Sequence, residues 1–155
     1  MMSFEDLYQE IILDHYRKPK NRSGVLEDES VHVHHSNPLC GDEMDLRIAV
    51  DDGRLIGIAF DGEGCSISQS SASAMTVAVE GRELEDVLEL AEDFRRMMHG
   101  DEPKRPDDLL DGIAFTGVAK FPVRVKCALL SWMAVRDAIE TYRDGADTSS
   151  VTHED

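Results

Sequence analysis

The 155-residue chain sets 32 acidic against 16 basic residues, a formal charge of −16, with 41% hydrophobic residues and three cysteines. That length suits one domain with one core. No run of roughly 18 apolar residues is present, which excludes a membrane-spanning helix, and the missing excess of clustered Lys and Arg argues against a nucleic-acid partner. The N-terminus MMSFEDLYQE has acids where a secretory signal needs a basic and then an apolar stretch, so the expected compartment is the cytoplasm. Eighteen of the acids are aspartates and arginines outnumber lysines 11 to 5, the balance of a halophilic-type surface kept soluble by charge.

In chain order, a first helix is expected from about Ser3 to Lys18. Ser3 and Asp6 are spaced like a capping box, and Phe4, Leu7, Tyr8, Ile11, Ile12 and His15 form one stripe before Pro19 stops it. Three strand-like runs follow, Val31–Ser36, Glu43–Val50 and Arg54–Phe60, the last two joined by the hairpin signal Asp51-Asp52-Gly53. Beyond Gly62-Glu63-Gly64 the pattern turns to Ser and Ala over Ser66–Val79, a helix whose small side chains permit close packing. A second amphipathic helix spans Glu83–Met98, with Leu84, Val87, Leu88, Ala91, Phe94 and Met98 at helical spacing. A loop from Gly100 through Pro106 leads to an apolar patch, Ile113–Val118. The final helix is read from Cys127 to Tyr142, with Trp132 packed inside it. Helix, three strands, then helices implies an α+β fold, a three-stranded antiparallel sheet packed against several helices. Residues 1–146 form the single domain and 147–155 a frayed tail.

The three cysteines cannot make a full disulfide set, and a cytoplasmic chain keeps them reduced. All three sit at junctions. Cys40 lies in Asn37-Pro38-Leu39-Cys40-Gly41-Asp42 between two strands, Cys65 follows Gly62-Glu63-Gly64 at a helix start, and Cys127 follows Phe121-Pro122-Val123-Arg124-Val125-Lys126 at another. A helix N-terminus favours the thiolate, the form that attacks and ligates. Gly41, Gly62 and Gly64 allow tight turns and close approach of a partner. Asp42, two residues after Cys40, can add an oxygen to three sulfurs and complete a tetrahedron suited to Zn²⁺. Three thiolates and a carboxylate around a dication leave a charge of about −2, which Arg124 and Lys126 are placed to offset.

With these residues in view, NPLCGD, GEGCSISQSSASAM and FPVRVKC resemble, in order, the three cysteine motifs of the IscU/NifU N-terminal family of iron–sulfur assembly proteins, closest to its SufU branch. The similarity runs from the first helix to about Tyr142. The family's IscU branch has a histidine before the third cysteine and an LPPVK-type chaperone site upstream. Here Lys126 and FPVRVK stand instead, and the stretch from about Gly100 to Lys120 looks like the SufU insertion.

The resemblance implies zinc held by Cys40, Asp42, Cys65 and Cys127 and sulfur taken from a cysteine desulfurase; on that basis Cys40 is read as the acceptor of persulfide sulfur, and Arg124 either as orienting the partner or stabilising anionic sulfur or as an ordinary surface salt bridge. The implied partners are a PLP-dependent, SufS-like cysteine desulfurase and a downstream iron–sulfur assembly scaffold. The alternative it implies is an IscU-like scaffold, in which Cys40, Cys65 and Cys127 hold iron or a transient [2Fe–2S] cluster that is handed on. Among other residues, His32 and His34 point to one face of a strand and invite a metal reading, but no acid or cysteine is spaced to finish a site, and with His35 they are read as surface imidazoles. Glu63 lacks a matching acid for hydrolytic chemistry. The methionines, Met75, Met97, Met98 and Met133 among them, are read as core filler.

Overall fold

A computed structural model of the chain describes residues 4–38, 41–145 and 151–154. Helix α1 spans Phe4–Arg17, and strands β1, β2 and β3 span Val31–Asn37, Asp42–Asp51 and Arg54–Glu63. Helices α2 and α3 follow at Ser66–Val79 and Leu84–Met98, then a 3₁₀ segment at Leu110–Lys120, helix α4 at Pro122–Arg143 and strand β4 at Val151–Glu154.

β1, β2 and β3 pair antiparallel, as expected, with Asn37 opposite Asp42 and Asp51 opposite Arg54. The β2–β3 turn is two residues long, and Asp52 and Gly53 both have positive φ (51° and 73°), the type I′ geometry that matches strand twist. Within the stretch expected to be a frayed tail, Val151–Glu154 forms β4, which runs parallel to β1 with Val151 beside Val33, giving the sheet order β3-β2-β1-β4. Without β4, β1 would present an open row of N–H and C=O groups, which a short segment carrying Val and Thr satisfies. The expected domain boundary at 146 lies outside the described residues.

Strand alternation sorts the sheet into two faces. Val31, Val33, Met44, Leu46, Ile48, Ile58 and Phe60 are buried, while His32, His34, Glu43 and Asp45 point the other way. Helix α4 packs on β1 and β2, α2 lies against α4 and β3, α1 against α2, and α3 against α4. Trp132 of α4 stacks on Phe94 of α3, ring centroids 4.7 Å apart and 16° from parallel, and is fully buried as expected. Met75, Met97 and Met98 are core residues too.

The Ser/Ala composition of α2 has a structural cause. Eleven of its 14 residues are buried, because α1, α4 and the 3₁₀ segment surround it. Small side chains allow that approach, and the buried hydroxyls bond rather than remain orphaned. Ser71 Oγ donates to the Ala128 carbonyl of α4 (2.7 Å), and Thr76 Oγ1 to the Ser73 carbonyl (2.8 Å).

Buried His15 joins three elements. Its Nδ1 is 2.7 Å from Ser73 Oγ of α2 and its Nε2 2.8 Å from the Asp111 carboxylate in the 3₁₀ segment. Ser73 Oγ also accepts the Lys20 N–H at 2.7 Å. With Nε2–H donating to Asp111 and the Ser73 hydroxyl donating to Nδ1, every group is satisfied. The loop after α3 is held likewise, since the buried Asp93 carboxylate accepts the N–H groups of Lys104 and Arg105. Arg105 reaches back to Asp86 on α3, and this hydrogen bond holds the Asp86 carboxyl below its ordinary range against the opposing effect of burial.

Replacing His15 with Ala removes the clasp on both sides and leaves the Ser73 hydroxyl without its imidazole acceptor. Urea unfolding should show a loss of about 1–3 kcal/mol.

Candidate metal centre

Three chain segments meet at one end of the β2–β3 ladder. Asp42 opens β2 on its buried face. Its Oδ1 accepts the Cys65 N–H at 2.9 Å, while Oδ2 is buried without a hydrogen-bond partner among the described residues. Cys65 is the N-cap of α2, with extended backbone, and its Sγ accepts the Ser68 N–H at 3.5 Å in the manner of a capping oxygen. Ser68 Oγ returns a bond to the Cys65 carbonyl at 3.0 Å. The motif sequence thus places the sulfur on the N-terminus of a helix without acids in its first turn.

Cys127 comes from α4 and is buried. Its position corrects the reading of a helix starting at Cys127: α4 begins five residues earlier, with Pro122 at its first turn, where a missing N–H costs nothing and φ is already helical. Cys127 therefore sits in the second turn, its Sγ 3.6 Å from the Val123 carbonyl. The helix N-terminus argument applies to Cys65 and not to Cys127.

One donor atom each from Asp42, Cys65 and Cys127 lies within 4.8 Å of the other two. Tetrahedral donors at zinc distances stand roughly 3.3–3.8 Å apart, so little adjustment separates this cluster from a closed site. The chemistry fits as well. Two sulfurs and one carboxylate oxygen suit a borderline-soft dication, and Oδ2, without a hydrogen-bond partner among the described residues, is a buried acceptor that a cation would satisfy.

Gly64 makes the convergence possible, because a Cβ there would fall 2.4 Å from Ser68 Oγ and 2.6 Å from Asp42 Oδ1. Gly62, at φ 141°, would put a Cβ 2.1 Å from the Glu43 carbonyl oxygen. Both glycines are demanded by close approach, Gly64 at the β3–α2 corner and Gly62 against the backbone of β2.

Residues 7–147 match the NifU-like N-terminal domain family. The chain belongs to that family. It is 43% identical over 143 residues to the zinc-dependent sulfurtransferase SufU of Bacillus subtilis (strain 168), covering 92% of this chain and 96% of that protein. It is 39% identical over 134 residues to the iron–sulfur cluster assembly scaffold protein IscU of Streptococcus pyogenes serotype M1, covering 86% and 83% respectively. The crystal structure of a SUF-system cluster assembly scaffold protein from Fervidobacterium islandicum AW-1 superposes with a TM-score of 0.72 at 30% identity, over 84% of this chain and 94% of that one. The family resemblance carried by the three cysteine motifs is thereby borne out, as is the α+β fold of three antiparallel strands and several helices.

The remaining candidates fall as follows. Cys40 lies outside the described residues, two positions before Asp42 in the chain. Arg124 and Lys126 are exposed in the first turns of α4, beside exposed Phe121 and Val123. With Lys120 they form a short cationic, apolar rim on a strongly acidic chain. Glu63 is exposed at the end of β3. No described helix is long and apolar enough to cross a membrane.

The histidines depart from the surface reading in two ways. His35 is buried on the inner sheet face, its Nε2 2.9 Å from the carboxylate of Asp137 on α4. His32 and His34 are part-exposed on the outer face, and both reach Asp45 Oδ1 of β2. Asp45 had no place in a reading along the chain, because it meets His34 only across the β1–β2 ladder. The signal was the hairpin register, which Asn37 and Asp42 fix at the turn.

Gly64→Ala should destabilise the protein by about 1–3 kcal/mol, since the methyl must displace Ser68 or Asp42. Gly117→Ala, where a Cβ meets no atom within 4 Å, should stay within about 0.5 kcal/mol of the parent in the same urea titration.

Proposed function

We propose that this protein is a zinc-dependent sulfurtransferase of iron–sulfur cluster assembly, which takes persulfide sulfur from a cysteine desulfurase and passes it to a downstream assembly scaffold. The observation that carries the reading is the convergence of Asp42, Cys65 and Cys127 in a chain sharing 43% identity with a protein named for that activity. Cys40 supplies the fourth ligand. Bound zinc would keep the thiolates deprotonated and shield them from oxidation.

The chain's own residues do the rest. Cys40 is the sulfur acceptor. Its thiolate attacks the outer sulfur of the desulfurase persulfide, a new S–S bond forms on Cys40, the original S–S bond breaks, and the desulfurase cysteine leaves as thiolate. The reaction is an exchange without net oxidation or reduction, analogous to thiol–disulfide exchange. Asp42 stays oriented throughout by its bond from the Cys65 N–H, and Cys65 by the start of α2. Arg124, exposed one turn before Cys127, offers the anionic persulfide a cation and the incoming partner a contact. The pyridoxal phosphate of the reaction belongs to the desulfurase.

A second reading is supported by the relatives named as scaffolds. In it Cys40, Cys65 and Cys127 hold iron or a [2Fe–2S] cluster as cargo.

Metal and acid-labile sulfide, measured on protein purified anaerobically without a metal-affinity tag, separate the two. About one zinc per chain and no sulfide is expected; iron and sulfide in comparable amounts would replace the sulfurtransferase by the scaffold. Cys40→Ser should retain the fold by circular dichroism and accept no labelled sulfur from a persulfidated desulfurase. Transfer at the parent level by that variant would remove Cys40 as acceptor.

A further inference from the structure

On the outer face of the sheet, two imidazoles converge on one carboxylate oxygen. His32 Nε2 lies 3.0 Å and His34 Nδ1 3.1 Å from Asp45 Oδ1. His32 and His34 are two residues apart on β1, which the strand period places on one face, and Asp45 stands directly opposite His34 on β2. All three side chains are partly buried, at 19%, 29% and 40% exposure, so they are held against the sheet yet open to solvent.

We propose that His32, His34 and Asp45 form a second divalent-cation site, separate from the cysteine cluster and on the opposite face of the same strand β2. Two imidazole nitrogens and one carboxylate oxygen on one side of an ion, with the remaining positions open, is a donor set that suits first-row dications such as Zn²⁺, Ni²⁺ or Fe²⁺.

The surroundings support a cation. Burial alone would raise the Asp45 carboxyl, but hydrogen bonds and charge from His32 and His34 outweigh it and hold the group below its ordinary range, so the carboxylate is ionised. An ionised carboxylate only accepts. His32 therefore presents Nε2–H and His34 Nδ1–H toward the shared oxygen, and those nitrogens become the ligands once the ring protons move to the opposite nitrogens. Glu43 is exposed two residues before Asp45, and Asp61 pairs with Asp45 across β3. The nearby cations are already engaged, Arg47 with Glu29 at 3.3 Å and Arg22 with Asp61 at 3.5 Å. The two nitrogens stand 3.0 and 3.1 Å from the shared oxygen, hydrogen-bond distances, and ligation replaces those bonds by contacts of about 2 Å to one ion through rotation of the three side chains.

The test is a zinc titration of the full, ¹⁵N-labelled chain to two equivalents, followed by long-range ¹H–¹⁵N spectra of the imidazole rings. Its readout is independent of whatever occupies the cysteines. The nitrogens expected to show zinc ligation are Nε2 of His32 and Nδ1 of His34, while His99 stays unchanged. Asp45→Asn, which keeps the side-chain volume, should weaken the response of both rings at least about tenfold. Rings of His32 and His34 that ignore both equivalents of zinc would overturn the site. So would an Asp45→Asn variant whose rings respond at the parent's zinc concentration.

Discussion

The hydrogen bond from the Cys65 N–H to Asp42 Oδ1 is the constraint on which the candidate metal centre depends. It ties the first residue of β2 to the N-cap of α2, two points 23 residues apart in the chain. It also divides the work of one carboxylate. One oxygen is used to fix the corner, and the other is left buried without a hydrogen-bond partner among the described residues. A carboxylate so fixed has little rotamer freedom left to lose when it ligates, which is the general advantage of a preorganised site. The requirement reaches the backbone through Gly64, whose missing Cβ is what lets Asp42 and Ser68 share the space.

The support behind that corner is polar as much as apolar. Helix α2 carries Cys65 at its tip and is buried along nearly its whole length, yet its side chains are mostly hydroxyls and methyls. Its position is set by bonds to neighbours: Ser71 to α4, which carries Cys127, and Ser73 to α1 and the 3₁₀ segment through His15. The two sulfurs thus ride on helices directly bonded to each other. The Asp–His–Ser chain through His15 has the outline of a proton relay, but its serine is wholly buried and already accepts a backbone N–H. Its role is to hold elements together.

Periodicity and turn chemistry made the elements legible in the sequence. The Asp-Gly of the hairpin, the alternation in β1–β3 and the stripe of α3 each have a local cause that survives folding. Three features lacked such a local signal. The early start of α4 was hidden because Phe121–Lys126 alternates like a strand, although Pro122 is a good first helical residue. The burial of His35 depended on Asp137, a hundred residues away on α4. The pairing of His34 with Asp45 depended on register, which residue spacing along one strand does not contain. For the cysteine cluster the reverse held. The neighbours of each cysteine carried enough of the family's pattern to single out Cys65, Cys127 and Asp42 as candidates, three residues whose donor atoms lie within 4.8 Å of one another, though not which helical turn held Cys127.

The alternation of β2 has a consequence for how this chain can change in length. Asp42 and Asp45 are three residues apart, an odd number, so the strand delivers one carboxylate to each side of the sheet. Inserting or deleting a single residue between them would turn one of the two over, exchanging a solvent-facing acid for a core position or emptying the cysteine corner of its oxygen. Length variation in this hairpin is therefore admissible only outside Asp42–Asp45, toward the Asp52-Gly53 turn at the far end, where the existing bulge between Ala49 and Val50 shows the ladder already absorbing a change of phase.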